Sequence, residues 1–200
     1  MPPPLCDDDR RQLLLLARTS LTEFVLHNRI PHVPHLNERL AQPAGAFVTL
    51  WNRGRLRGCV GSLDQSLPLS EAVVRAALSA ARDDPRFAPV CAEEIPDIEI
   101  EISVLSKPRP MAIGAIEVGK HGLQVIRGKH RGLLLPQVAA ERSWSAQRFL
   151  EETCLKAGLA AGAWKQPDTE ILAFTADVFS ERELRPATAA AGESRGLSAI

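Results

Sequence analysis

Apolar and polar positions repeat with two different periods along this chain, and the switches between them divide it into elements. Leu13, Leu14, Ala17, Leu21, Phe24 and Val25 recur at helical spacing, which predicts an amphipathic helix running to about His27. Asp7, Asp8 and Asp9 stand at its start, where they supply an N-cap and meet the positive end of the helix dipole. Pro31, Pro34, Pro43 and Gly45 then interrupt any period, so 28–45 reads as a loop with one helical turn around Leu36–Leu40. Ala46–Trp51 is a strand, Asn52-Arg53-Gly54 a turn, and Arg55–Val60 the returning strand of a hairpin. Ser66 and Pro68 open a second helix, whose inner face of Leu69, Ala72, Val73, Ala76, Ala77 and Ala80 is small enough to pack closely on a sheet. It ends before Asp84-Pro85, because the residue before a proline avoids helical angles.

The period drops to two at Asp97–Leu105. Ile98, Ile100, Ile102 and Val104 face one side, and Asp97, Glu99, Glu101 and Ser103 the other, the pattern of an antiparallel strand with one polar face. Strands at His121–Ile126 and Gly132–Leu135 flank the turn Arg127–His130. Ser145 caps a helix with Phe149, Leu150, Thr153, Cys154 and Ala157 inward, Gly158 stops it, and Ile171–Phe179 is a last strand. Helices and strands mix without a βαβ rhythm, so the expected class is α+β with antiparallel sheets. Residues 1–8 are expected as a flexible leader, 9–184 as the folded domain, and the Ala/Gly/Ser-rich stretch 186–200 as a disordered tail.

Composition narrows the function classes. The 24 basic and 24 acidic residues cancel, and Lys and Arg are scattered rather than striped, so nucleic acid is not an expected partner. The chain has no tyrosine, which weakens any base-stacking platform. Nothing approaches the ~18-residue apolar run of a membrane span. The first residues lack the basic and apolar regions of a secretory signal, so a cytoplasmic protein is expected. The four cysteines, Cys6, Cys59, Cys91 and Cys154, form no CxxC pair and read as reduced thiols. The hydrolase elbow, the phosphate-binding loops and the HExxH helix have no counterpart in the sequence.

What chemistry remains gathers at Leu56-Arg57-Gly58-Cys59-Val60-Gly61-Ser62, expected at the far end of the hairpin. A guanidinium beside a thiol favours thiolate, and the backbone near Gly58 and Gly61 allows an anion to approach. Cys59 is thus a candidate nucleophile or redox thiol. The same spacing equally suits a buried, inert cysteine with glycines that serve backbone approach alone. Asp84 and Arg86 suit a polar anchor, with Arg86 either forking onto a ligand carboxylate or phosphate or pairing within its own loop. His121, beside Lys120 and between glycines, is the histidine expected to be accessible and to titrate near neutrality. His27, His32 and His35 read as solvated loop histidines, and no metal site is expected. Glu99 and Glu101 share a strand face and read as solvated charge rather than an acid–base pair.

Taken in order, Gly45–Leu50, Leu56–Gly61, Asp84-Pro85-Arg86-Phe87, Ile102–Leu105, Gly119–Leu123, Gly132–Val138, Phe149-Leu150 and Lys156–Leu159 followed by Trp164 closely resemble the AMMECR-type domain, called AmmeMemoRadiSam system protein A in bacteria. The resemblance spans about residues 9–184, with Val60 where isoleucine is usual. It implies two subdomains on antiparallel sheets, a larger one from both chain ends and a smaller inserted one, and a cleft between them lined by Arg57–Gly61. It also implies a Memo-like protein and a radical S-adenosylmethionine enzyme as partners. No cofactor is expected. It implies no particular reaction. Two functions stand side by side. One is a binding component that takes a small molecule or peptide in the cleft through Arg57, Gly58, Gly61, Asp84, Arg86 and Lys120. The other is an enzyme on a small anionic substrate, with Cys59 as the reactive group and His121 moving a proton.

Overall fold

The helical period read from Leu13 onward becomes α1 (Asp7–His27) in the computed structural model, which describes residues 5–184 except His35. The chain continues through β1 (Gly45–Asn52), β2 (Arg55–Ser62), α2 (Leu69–Arg82), β3 (Ile98–Leu105) and β4 (Arg109–Pro110). Then follow β5 (Gly122–Arg127), β6 (His130–Leu134), α3 (Pro136–Glu141), α4 (Ala146–Lys156), β7 (Glu170–Phe174) and β8 (Ala176–Ser180). Two four-stranded antiparallel sheets result, ordered β2-β1-β3-β8 and β4-β7-β5-β6. The molecule is therefore α+β.

The cap of α1 is Cys6, not one of the aspartates. Its thiol accepts the Asp9 N–H at 3.5 Å, and the Asp9 carboxylate accepts the Cys6 N–H at 3.1 Å. The cap thus lies one residue ahead of the acidic run, which fills the first turn of the helix. Leu5 is buried against the core, so the last part of the expected leader is packed; residues 1–4 and the 186–200 tail lie outside the described residues. In the proline-rich loop, Leu40 N–H and Ala41 N–H bond the Asn37 carbonyl, and that turn drives Leu40 into the core.

α1 and α2 cover one face of the first sheet. Leu13, Ala17, Leu21, Val73 and Ala77 pack on Val48, Leu50, Ile100 and Ile102, all without solvent exposure. Each large aliphatic buried this way contributes roughly 1.5–3 kcal/mol. The second sheet packs Leu123 and Ala173 against Phe149 and Leu150 of α4. The segment α3, which the apolar period does not show, starts with Pro136 at its first turn and turns Ala139 into this core.

The expected last strand, Ile171–Phe179, divides at Thr175. β7 belongs to the second sheet and β8 to the first, where it pairs with β3. Thr175 leaves both ladders to bond Ser106: its N–H donates to Ser106 Oγ at 2.9 Å, and its carbonyl accepts the Ser106 N–H at 2.9 Å. The outgoing and returning crossovers between the sheets are thereby tied to each other.

Candidate functional site

β2 is an edge strand, so every second residue turns its N–H and C=O away from the sheet. Cys59 is one of these. The loop after α2 stands in for the missing neighbour: Asp84 Oδ2 accepts the Cys59 N–H at 2.8 Å, and Arg86 Nη2 lies 3.5 Å from the Cys59 carbonyl oxygen. Arg86 Nε and Nη2 also fork onto the two Asp84 oxygens at 2.9 and 2.7 Å, and the Arg86 N–H closes the turn on Asp84 Oδ1 at 3.1 Å. The guanidinium holds the Asp84 carboxyl far below the usual carboxylate range in spite of its burial. Asp84 is 4% exposed, so this pair is structural as well as local.

Arg57 is committed elsewhere. Its Nε and Nη2 bond Glu94 at 2.6 and 2.9 Å, and Nη2 reaches the Pro89 carbonyl at 3.2 Å. The hydrogen bonds hold Glu94 down to about 2. Both guanidiniums lean on the Phe87 ring, at 5.9 Å for Arg57 and 5.4 Å for Arg86.

Which way Cys59 points follows from its neighbour. A Cβ on Gly58 would run into the Ala80 carbonyl of α2, so Gly58 faces the helices and Cys59 faces away. On that open face the register sets Cys59 across from Thr49, Thr49 across from Glu101, and Glu101 across from Ser180. Thr49 Oγ1 donates to Cys59 Sγ at 3.3 Å. Burial pushes the thiol up; the Thr49 bond and the Arg86 charge pull against this, and Asp84 and Glu101 add to the rise. Arg57 is not among the charges acting on the sulfur. The segment therefore does not sit at a hairpin's end as an activated thiolate. It lies within β2 and presents a neutral, half-buried thiol.

Glu101 is not a solvated charge either. It is half-buried, burial pushes its carboxyl above the ordinary value, Trp51 donates to it, and Glu183, Glu141 and Glu99 repel its charge. The adjacent rung is Gly61, Phe47 and Ser103. It lies under the second sheet's elements: Gln137 Nε2 of α3 donates to Ser103 Oγ at 3.2 Å, and Phe47 packs with Leu133, Leu135, Val138 and Phe174. Gln137 Oε1 is buried without a hydrogen-bond partner among the described residues. The Cys59–Thr49–Glu101 rung thus stands where cover by the second sheet ends.

Structure brings Cys59, Gly58, Gly61, Asp84 and Arg86 together and sets Arg57 beside them in a separate ion pair. His121 and Lys120 lie in the turn before β5, bonded to none of these. His121 is 7% exposed rather than accessible: its Nδ1 accepts the Glu117 N–H at 3.0 Å and closes the turn. Lys120 Nζ pairs with Glu117 at 2.9 Å. Among the described residues, no group of three or more His, Cys, Asp or Glu is placed to hold a metal ion, and no helix is long and apolar enough to cross a membrane. Sequence reasoning passed over Thr49, Trp51 and Gln137. Only the strand register, set by a bulge between Leu50 and Trp51, reveals the first two.

Comparison with known proteins places this geometry among relatives. The AMMECR1 family model matches residues 14–179. A Methanothermobacter thermautotrophicus protein is 43% identical over 186 residues, covering 89% of this chain and 97% of its own length. A Thermococcus gammatolerans protein is 42% identical over 182 residues, covering 84% and 88%. The crystal structure of an uncharacterized Pyrococcus horikoshii protein superposes with a TM-score of 0.81 at 40% identity, over 85% of this chain and 90% of that one.

Proposed function

Because the chain belongs to the AMMECR1 family, whose two-sheet fold it shares with a solved relative, we propose that it works as a binding component whose cleft receives a positively charged, N–H-rich group on a small molecule or peptide. One observation carries this reading. Both guanidiniums of the signature region are forked onto carboxylates, while the open face beside Cys59 carries the half-buried Glu101 carboxyl among the acidic neighbours Glu99, Glu141 and Glu183. An anionic substrate would find no free cation on this rung and would be repelled by Glu101 and its acidic neighbours. The thiol, pushed up by burial and lacking a base in hydrogen-bonding contact, is a poor nucleophile at neutral pH. Chemistry is then supplied by the partners that the resemblance implies, a Memo-like protein and a radical S-adenosylmethionine enzyme, in the cytoplasm.

The test uses the full chain and a defined probe. Isothermal titration with spermidine and with Lys-containing tripeptide amides is expected to show binding that Glu101→Gln weakens at least tenfold. In parallel, iodoacetamide at pH 7.5 is expected to leave Cys59 largely unmodified while exposed Cys6 reacts. Fast alkylation of Cys59, together with tighter binding of succinate or phosphate than of the amines, restores the enzymatic reading on an anionic substrate.

A further inference from the structure

The Asp84–Arg86 pair that closes the β2 edge at Cys59 leaves the next outward-facing residue open. Gly61 lies two residues along the same edge, its N–H and C=O turned away from β1, and no hydrogen bond from the described residues meets them. Beside it, between the strand edge and α2, is a cavity of about 270 Å³. Its apolar wall is Val60, Leu67, Ala72 and Ala76, and Arg75 and Ser79 stand on its rim. Arg75 is exposed and makes no ion pair or hydrogen bond with the described residues. Asp64 also lines the cavity; its carboxylate makes no ion pair with Arg75 and is hydrogen-bonded in its own turn by the Ser66 N–H at 3.0 Å and the Ser66 hydroxyl at 2.8 Å.

These three features answer to one kind of ligand. An unpaired donor and acceptor on a strand edge are met by the C=O and N–H of an extended peptide. A small apolar cavity one step away takes one short aliphatic side chain, since alternate residues of an added strand point to the same face. An unpaired guanidinium at the rim takes a carboxylate, and does so best as a fork. A chain terminus supplies all three within its last two residues, the penultimate one pairing with the Gly61 edge and the last one supplying side chain and carboxylate, whereas an internal segment offers no carboxylate on its backbone. We propose that the Gly61 edge and the α2 cavity dock the extended C-terminal segment of a partner protein ending in a small aliphatic residue, with its terminal carboxylate on Arg75. This site is on the edge and helix side of the sheet, separate from the Cys59–Thr49–Glu101 face, so either reading can fail while the other stands.

The experiment is an amide NMR titration of the full-length protein with hexapeptide pools, random at the first five positions and ending in valine. One pool carries the free acid and one the C-terminal amide; isovalerate alone is the third arm. The free-acid pool is expected to shift the Gly61, Ser62 and Ser79 amides. Amidation, Arg75→Ala, or filling the cavity with Ala72→Leu is each expected to weaken this at least tenfold, with the rest of the spectrum unchanged in the variants. Four results overturn the proposal: no shift at Gly61 with millimolar free-acid pool, shifts centred elsewhere, equal binding of the amide pool, or isovalerate binding as tightly as the peptides, which would make it a small-acid pocket.

Discussion

At the scale of single residues, the signature segment is decided by who holds whom. Asp84 is the pivot: it accepts the Cys59 N–H and both donors of the Arg86 fork. Asp84→Ala leaves a buried backbone N–H and a guanidinium without an acceptor, and a loss of about 2–3 kcal/mol is expected in urea unfolding. Arg86→Ala removes the fork, the long contact to the Cys59 carbonyl and the contact with the Phe87 ring, but leaves Asp84 its bonds from the Cys59 and residue-86 N–H groups, so its cost is expected to be smaller than that of Asp84→Ala. The two acids of this region also set an acid limit. Glu94 is held down to about 2 by Arg57, below its unfolded value of about 4.3, so the stability it contributes is present above that value. Stability is lost as pH falls from about 4.3 toward 2, and Glu94→Gln should flatten that part of the unfolding-versus-pH curve. Glu101 has the opposite sign. Its folded carboxyl titrates above its unfolded value, so folding favours the protonated form, and stability is lost as pH rises through the folded pKa. Glu101→Gln is therefore expected to raise the melting temperature at pH 8 and to change it little at pH 4. No stabilisation at pH 8 would mean that the carboxyl is solvated after all.

At the scale of elements, the edge strands depend on close approach by helices. Gly58 lies against the Ala80 carbonyl of α2, and Gly132 in β6 lies against the Ala157 backbone at the end of α4. A methyl group at either position has no room without moving a helix. Gly58→Ala is expected to cost about 2–3 kcal/mol through overpacking, whereas Gly54→Ala, with open space around it, meets only the strain of its positive φ in the hairpin turn. Chemical denaturation of the two variants side by side checks this; equal losses would place the effect in backbone conformation rather than packing. The same packing was legible in advance from the alanines of α2, because a face of Ala72, Ala76, Ala77 and Ala80 lets a helix lie close to a sheet. The burial of His121 was not legible. Glycines on either side suggested an accessible ring, but the turn from Glu117 folds its side chain inward to satisfy a backbone N–H.

At the scale of the whole molecule, the first and last described elements meet at the first sheet. Arg18 of α1 donates to Glu181, just beyond β8, and to the Ile95 and Ile98 carbonyls, while Glu181 accepts the Ile100 N–H at 2.9 Å. Glu181→Ala breaks a partly buried ion pair and frees a strand N–H together, and a loss of about 2–3 kcal/mol is expected, larger than for the exposed pair Arg53–Asp97, which should be near neutral. The second sheet is joined to the first through crossovers locked at Ser106 and Thr175 and through the Phe47–Phe174 cluster. It shelters the Ser103 rung, and the next rung holds the candidate ligand face.

The sequence by itself determined the three longer helices, most of the strands, the α+β class and the family, because local period and ordered motifs are one-dimensional properties; the short α3 escaped it. It also marked Arg57–Gly61 as the segment of interest. Tertiary structure decided what that segment is. Counting back from the Arg53-Gly54 turn pairs Asn52 with Arg55 and would set Thr49 opposite Gly58, with Cys59 pointing under the helices. The one-residue bulge between Leu50 and Trp51 shifts the register and sets Thr49 opposite Cys59. Side chains alternate across a strand, so that single extra residue moves the thiol from the core face to the opposite face of the sheet. It also brings the thiol into line with Glu101, on a strand that is distant in sequence. Ion pairs tie Arg57 to Glu94 and Arg86 to Asp84, a choice of partner that no spacing along the chain records.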